Sequence, residues 1–153
     1  MKKLTISILL LLLFSASIYS QKTDEVYLKS TTLLFYENLS GRDWDSIPEY
    51  FTSGAKLSLI RINPQTQKEV VESLTPMQFV KRSKDVLAKL SIFEEEVLES
   101  KFEVSKNLAH GWIKYKARAG NEGSVFEWTG IDAFTWIKVN SEWKIQNVVS
   151  NKE

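Results

Sequence analysis

The chain has 153 residues, with 20 basic and 19 acidic side chains, one histidine and no cysteine. That near-neutral balance gives no electrostatic case for a nucleic-acid partner, and the missing cysteines exclude disulfides, thiolate metal ligands and a lipid-attachment cysteine. What remains is one ordinary domain that must be held together by its apolar core.

Residues 1–20 read as an export signal. Lys2 and Lys3 form a short basic start, Leu4 to Phe14 is a leucine-rich apolar run, and Ser15, Ala16 and Ser17 lead to a cleavage point after Ser20. The apolar run ends at Tyr19, short of the ~20 residues of a spanning helix, so the expectation is a periplasmic or secreted protein free of the membrane after cleavage. The mature chain, residues 21–153, loses Lys2 and Lys3 and keeps 18 basic against 19 acidic residues.

Thr23-Asp24-Glu25 opens the first mature helix with acids where the helix dipole favours them. Leu28, Thr32, Phe35 and Leu39 follow at helical spacing as one buried stripe, closed by Ser40-Gly41. A short second helix is predicted from an Asp43 cap, with Trp44, Ile47 and Phe51 inward and Pro48 in its first turn. Ala55–Ile62 and Lys68–Leu74 read as strands joined by a turn at Asn63-Pro64-Gln65-Thr66. Thr75-Pro76-Met77-Gln78 is a helix start with a capping box, and Phe79, Val80, Ser83, Val86, Leu87 and Leu90 mark its apolar face. The basic residues Lys81, Arg82 and Lys84 on this helix read as a solvated face.

From Ile92 the helical period disappears. Phe93–Val104, Leu108–Ala119, Ser124–Val139 and Trp143–Val149 read as four strands, with turns at Ser105-Lys106-Asn107, Gly120–Gly123 and Asn140-Ser141. The strand from Ser124 is apolar on both sides: Phe126, Trp128, Asp132, Phe134 and Trp136 on one, Val125, Thr129, Ile131, Ala133, Ile137 and Val139 on the other. A half-solvated sheet is polar on one face. The second apolar face therefore predicts a homodimer formed through the outside of the sheet.

Tyr36-Glu-Asn-Leu-Ser-Gly-Arg-Asp-Trp44 at the end of the first helix, with Tyr50-Phe51 beyond it, is one marker of kinship. Asn107-Leu-Ala-His-Gly-Trp-Ile-Lys-Tyr115, Gly130-Ile-Asp-Ala-Phe134 and Glu142-Trp-Lys-Ile145 are the other. On these residues the stretch 24–149 resembles the nuclear transport factor two-like superfamily, which includes ketosteroid isomerase, scytalone dehydratase and the SnoaL-like polyketide cyclases. The second set is similar to its exported, lumazine-binding-type members. The resemblance implies an α+β cone, with N-terminal helices packed on a curved, mostly antiparallel sheet around a pocket. It does not bring a catalytic set with it. Counting back from Gly41, the tyrosine of isomerase-like relatives falls near Leu34, with Tyr36 on another face. The segment Leu57–Pro64 lacks the carboxylate of the isomerase base, and a single histidine does not supply the dehydratase set.

His110 shares a strand face with Trp112, Lys114, Lys116 and Arg118, which points outward, and a lone histidine without cysteines makes no zinc site. Asp132 is a poor strand former within an aromatic strand. It reads either as a satisfied buried acceptor or, on the concave face, as an acid–base group. Glu94, Glu95 and Glu96 alternate faces and so cannot chelate one ion; a charged edge strand accounts for them. Neither a phosphate loop nor a nucleophile elbow is present, and no cofactor is expected. Tyr36, Trp44, Tyr50, Tyr115, Trp128, Asp132 and Phe134, with Phe126 and Trp136, are the candidates to line or close a pocket for a flat, mostly apolar ligand. Three functions follow: a non-catalytic binder of a small apolar or aromatic molecule, a cyclase, isomerase or dehydratase using Asp132, and a protein-interaction module working through the outer sheet face.

Overall fold

A computed structural model describes residues 2–153, with side chains described from Lys22 onward, so the expected signal at residues 1–20 lies outside the described side chains. Helix α1 spans Lys2–Gly41. A 3-10 turn at Ile47–Tyr50 leads into strand β1, Phe51–Ile62, which pairs with β2, Glu69–Leu74. Helix α2, Pro76–Leu87, precedes β3 (Ile92–Ser105), β4 (Leu108–Asn121), β5 (Ser124–Val139) and β6 (Glu142–Lys152). All six strands form one sheet in the order β2-β1-β6-β5-β4-β3, in which only β1 and β6 run parallel. This is the expected α+β architecture, two helices on a mostly antiparallel sheet. Among the described residues, no helix is long and apolar enough to cross a membrane.

The stripe of α1 packs as its spacing dictates, with Leu28, Thr32, Phe35 and Leu39 all buried. Tyr36 joins it, one helical turn on from Thr32, because a core-facing stripe is wider than one row of residues. Leu34 is turned outward and half exposed, so the inward tyrosine is Tyr36; placing the inward position at Leu34 was off by two residues.

The second predicted helix shrinks to the 3-10 turn. Asp43 is not its cap: Ser46 holds that place and donates to Asp43 Oδ2 at 2.5 Å. Phe51 leaves the helix for β1 because its strand partner is Ile145 of β6, with a bulge before Lys56. That parallel pairing joins residues far apart in sequence, so local periodicity carries no trace of it.

At the start of α2 the capping box forms in full: Thr75 Oγ1 accepts from the Gln78 amide at 3.2 Å, and Gln78 Oε1 accepts from the Thr75 amide at 2.8 Å. Thr75→Ala is expected to cost about 1 kcal/mol in urea denaturation; an unchanged midpoint would mean the exposed cap is replaced by water without loss. On the sheet, β4 alternates as expected. Ala109, Ile113, Tyr115 and Ala117 are buried, whereas His110 and Trp112 face out. The last hairpins turn at Glu122-Gly123 and at Asn140-Ser141, the latter with both residues at positive φ, as a two-residue hairpin loop requires.

Candidate ligand-binding site

An apolar cavity of about 400 Å³ opens where α2 crosses the sheet. Leu39 and Trp44 close it from the α1 side, Phe79, Val86 and Leu87 from α2, and Phe93, Glu95 and Trp128 from the sheet. Val86 was assigned to the buried face of its helix; it is half exposed because that face borders open space. Arg82, also at the cavity, is held in an ion pair with Glu72, which binds Arg61 at 2.8 Å as well.

Glu95 is set in place by its backbone. Ser40, at the end of α1, accepts from the Glu95 amide at 2.7 Å and donates to its carbonyl at 3.2 Å. This double contact fixes edge strand β3 against the helix, in the register that turns Glu95 inward beside Phe93 and Val97. Part of Glu95 borders the cavity while protein encloses the rest.

Asp132 lies deeper, on β5, between Ile113 of β4 and Ser150 of β6 in the ladder. Tyr36 donates to its Oδ2 at 2.5 Å, and its Oδ1 has no hydrogen-bond partner. The Tyr36 ring lies 6.0 Å from that of Tyr115. Tyr115 can lie flat on β5 because its ladder partner is Gly130, where a Cβ would come within 2.5 Å of the tyrosine oxygen.

Burial governs the protonation of this group. It pushes Asp132 up to about 6, the hydroxyls of Ser150 and Tyr36 offsetting part of the effect. Burial, together with the negative charge of Asp132, pushes Glu95 up to about 8. The same two causes raise Tyr115 to about 12 and lift Tyr36 far above the ordinary tyrosine range. Near neutral pH, Glu95 therefore holds a proton while Asp132 is mostly ionised. A proton donor and a proton acceptor are thus electrostatically coupled, a combination that acid–base sites use.

The sequence candidates separate into three groups. Trp44 and Trp128 line the cavity, and Tyr36, Tyr115 and Asp132 form the buried cluster behind Glu95. Tyr50 lies elsewhere, in a shallow groove with Tyr27, Leu34 and Trp143, its hydroxyl accepting from Asn38 Nδ2 at 2.9 Å. Phe134 is core, stacked on Trp136 at 5.8 Å, and Phe126 is 70% exposed at the far end of β5. Glu95 was missed because it sits inside a run of charge, although Phe93 and Val97 on its own face were the signal. His110 lies on the outer face, 3.4 Å from Thr135 Oγ1. Among the described residues, no group of acids or histidine is arranged to hold a metal.

Two helices on a six-stranded, mostly antiparallel sheet, with a cavity between α2 and the sheet, define a known class of α+β fold. No family model matches the chain, and no curated protein sequence does. Solved structures match closely in shape. A proposed scytalone dehydratase from Novosphingobium aromaticivorans superposes with a TM-score of 0.69 at 11% identity, over 88% of each chain. A nuclear transport factor 2-like superfamily protein from Salmonella enterica gives 0.65 at 16% identity, over 84% of this chain and 92% of that one. A nuclear transport factor 2-like protein from Cytophaga hutchinsonii gives 0.64 at 10% identity, over 85% and 98%. The fold is thus the nuclear transport factor 2-like cone.

Proposed function

We propose that the mature chain is an exported, non-catalytic protein that binds a small, largely apolar or aromatic molecule in the cone. The observation that carries this reading is the cavity of about 400 Å³, walled mostly by aromatic and aliphatic side chains with Glu95, Arg82 and Ser83 as its polar members. Native mass spectrometry of the protein purified gently after export tests it. The expected species begins at Gln21 and carries extra small-molecule mass, which Leu87→Trp, filling the cavity, removes. An exported protein that never carries such mass, and whose tryptophan fluorescence ignores apolar probes, would sink the reading.

A second reading, proton-transfer catalysis of the isomerase or dehydratase type, is favoured by one observation: Asp132 is raised to about 6 and keeps Oδ1 free. It predicts deuterium exchange into 2-tetralone, an apolar ketone, in heavy water, lost in Asp132→Asn. Exchange no faster than in buffer would remove it.

We also propose a homodimer through the outer sheet face, where Trp112 is 58% exposed beside the half-buried Ala133 and Thr135. Trp112→Glu is expected to convert a dimer to a monomer in light scattering. A wild-type chain that is monomeric at high micromolar concentration would favour instead a surface for another protein.

A further inference from the structure

We propose that the cavity's ligand is an apolar amine bound as its cation, with the ammonium on Glu95 and the body among Trp44, Phe79, Phe93 and Trp128. The proposal rests on the binding reading above and narrows it to one chemical class.

Charge is the first argument. Glu95 lines the cavity, the buried Asp132 acts on it electrostatically, and among the described residues neither forms an ion pair. Buried carboxylates are ordinarily matched by a cation or a metal. The titratable groups that act on Glu95 are Asp132 from β5, Tyr36 from α1 and Tyr115 from β4, all neutral or negative, while Lys116 and Arg118 of β4 line a second pocket with Glu95 but are paired with Glu127 and Glu94. Arg82 of α2 borders the same cavity, but it is bound to Glu72. Lys152 of β6 stands over the Trp128 ring, 4.3 Å from its centroid, and not in an ion pair with either acid. With Glu95 protonated, the cluster carries the single negative charge of Asp132, and a bound cation would let Glu95 ionise as well.

Unmet hydrogen bonding is the second. Asp132 is 8% exposed, and its Oδ1 is a buried acceptor without a well-formed hydrogen bond, although the Ser150 hydroxyl lies near the carboxyl. An orphaned buried acceptor costs free energy that a donor nearby would recover. A cation on Glu95 draws this second negative group into the same field.

The walls are the third. Trp44, Phe79, Phe93 and Trp128 present aromatic rings to the cavity, and such rings attract ammonium groups. Trp128 already holds the lysine ammonium in this way. An anionic ligand beside Glu95 would be repelled by the charge of Asp132, and a neutral one would gain only apolar burial.

One linked consequence separates the ligand classes. Because Glu95 is protonated near neutral pH, an ammonium binding there favours the carboxylate and expels its proton to solvent. Isothermal titration of the mature protein at pH 7, in two buffers of different ionisation enthalpy, reads that proton directly. The probes are 2-naphthylmethylamine, 2-naphthylmethanol and 2-naphthoate, matched in shape and different in charge. The amine is expected to bind roughly tenfold more tightly than the alcohol, with naphthoate weakest. It should release close to one proton per molecule bound, and the alcohol none. In Glu95→Gln the advantage of the amine should vanish together with the proton release. An alcohol that binds as tightly as the amine overturns the proposal and leaves the binding reading intact. So does amine binding that releases no proton and ignores Glu95→Gln. If none of the probes binds, the proposal falls together with the binding reading.

Discussion

Replacing Glu95 by glutamine is expected to make the protein more stable, and only at neutral and alkaline pH. Burial and the charge of Asp132 push the side chain up to about 8 in the folded protein, against 4.5 as a free group. A carboxyl whose folded value is raised binds more protons folded than unfolded between those two values. Its contribution is therefore complete below the unfolded value and is lost as pH rises through the folded one. Each unit of difference corresponds to about 1.4 kcal/mol. With allowance for relaxation of a partly open site, Glu95→Gln should gain about 2–4 kcal/mol at pH 9 and almost nothing at pH 5. Asp132 acts in the same direction over a lower window, from its ordinary 3.8 up to about 6. Asp24 opposes neither. Burial lifts it, but Lys138 at 2.7 Å and Trp143 at 2.9 Å pull it below 3.8, so its contribution is lost only under more acidic conditions. Urea denaturation of wild type at pH 5, 7 and 9 should accordingly show stability falling as pH rises. A flat wild-type profile, or a variant that gains equally at every pH, would mean Glu95 is solvated and ionised in the folded chain. If the expected profile is found, the chain keeps a group that weakens it at neutral pH, which is the usual mark of a residue retained for its site.

What the sequence could and could not reveal follows from the range of the interactions. Strand faces from Ile92 onward are set by alternation, a local rule, and so Tyr115 falls opposite His110 and Trp112 on β4, and Asp132 falls with Phe134 and Trp136 on β5, as observed, whereas which face of β5 is inward is not a local property. The start of α2 is written in four consecutive residues, and its capping box forms as read. The parallel pairing of Phe51 with Ile145 is not local, and its helix was consequently drawn too long. Tyr36 was misjudged by counting from Gly41, although its burial follows from the width of the stripe that Thr32 and Leu39 already define. The cavity itself is the least legible feature. It exists because α2 stands across the sheet opposite Phe93, Glu95 and Trp128, and no property of those three strand residues announces the gap between them and the helix. Aromatic content alone could not separate wall from core, which is why Phe134 and Trp44 stood together as candidates.

Phe134→Ala is expected to remove about 3–5 kcal/mol, the largest loss of any single substitution considered for this chain. The ring is 1% exposed and touches three others: Phe35 edge-on at 5.9 Å, Tyr36 at 6.4 Å and Trp136 stacked at 5.8 Å. Deleting it removes the transfer free energy of the ring and leaves a void that two helix side chains and a tryptophan cannot all relax into. Domains of this size are stable by only about 5–15 kcal/mol, so a third or more of the total is at stake. The same experiment separates core from wall. A residue lining the cavity would cost little on truncation and would enlarge the space for ligand, changing probe binding more than stability. A core residue does the reverse. Phe134→Leu is the control, since it keeps most of the volume and should cost less than the alanine variant while leaving probe affinity unchanged. Tyr36 leans on Phe134 as well as on Asp132, so the alanine variant should also loosen the 2.5 Å bond between tyrosine and carboxylate. Urea denaturation at pH 5, where Glu95 is neutral and contributes no linkage, isolates the packing cost. A loss under 1 kcal/mol there, with altered probe binding, would move Phe134 from the core to the cavity wall and shift the ligand site deeper, onto Asp132 itself.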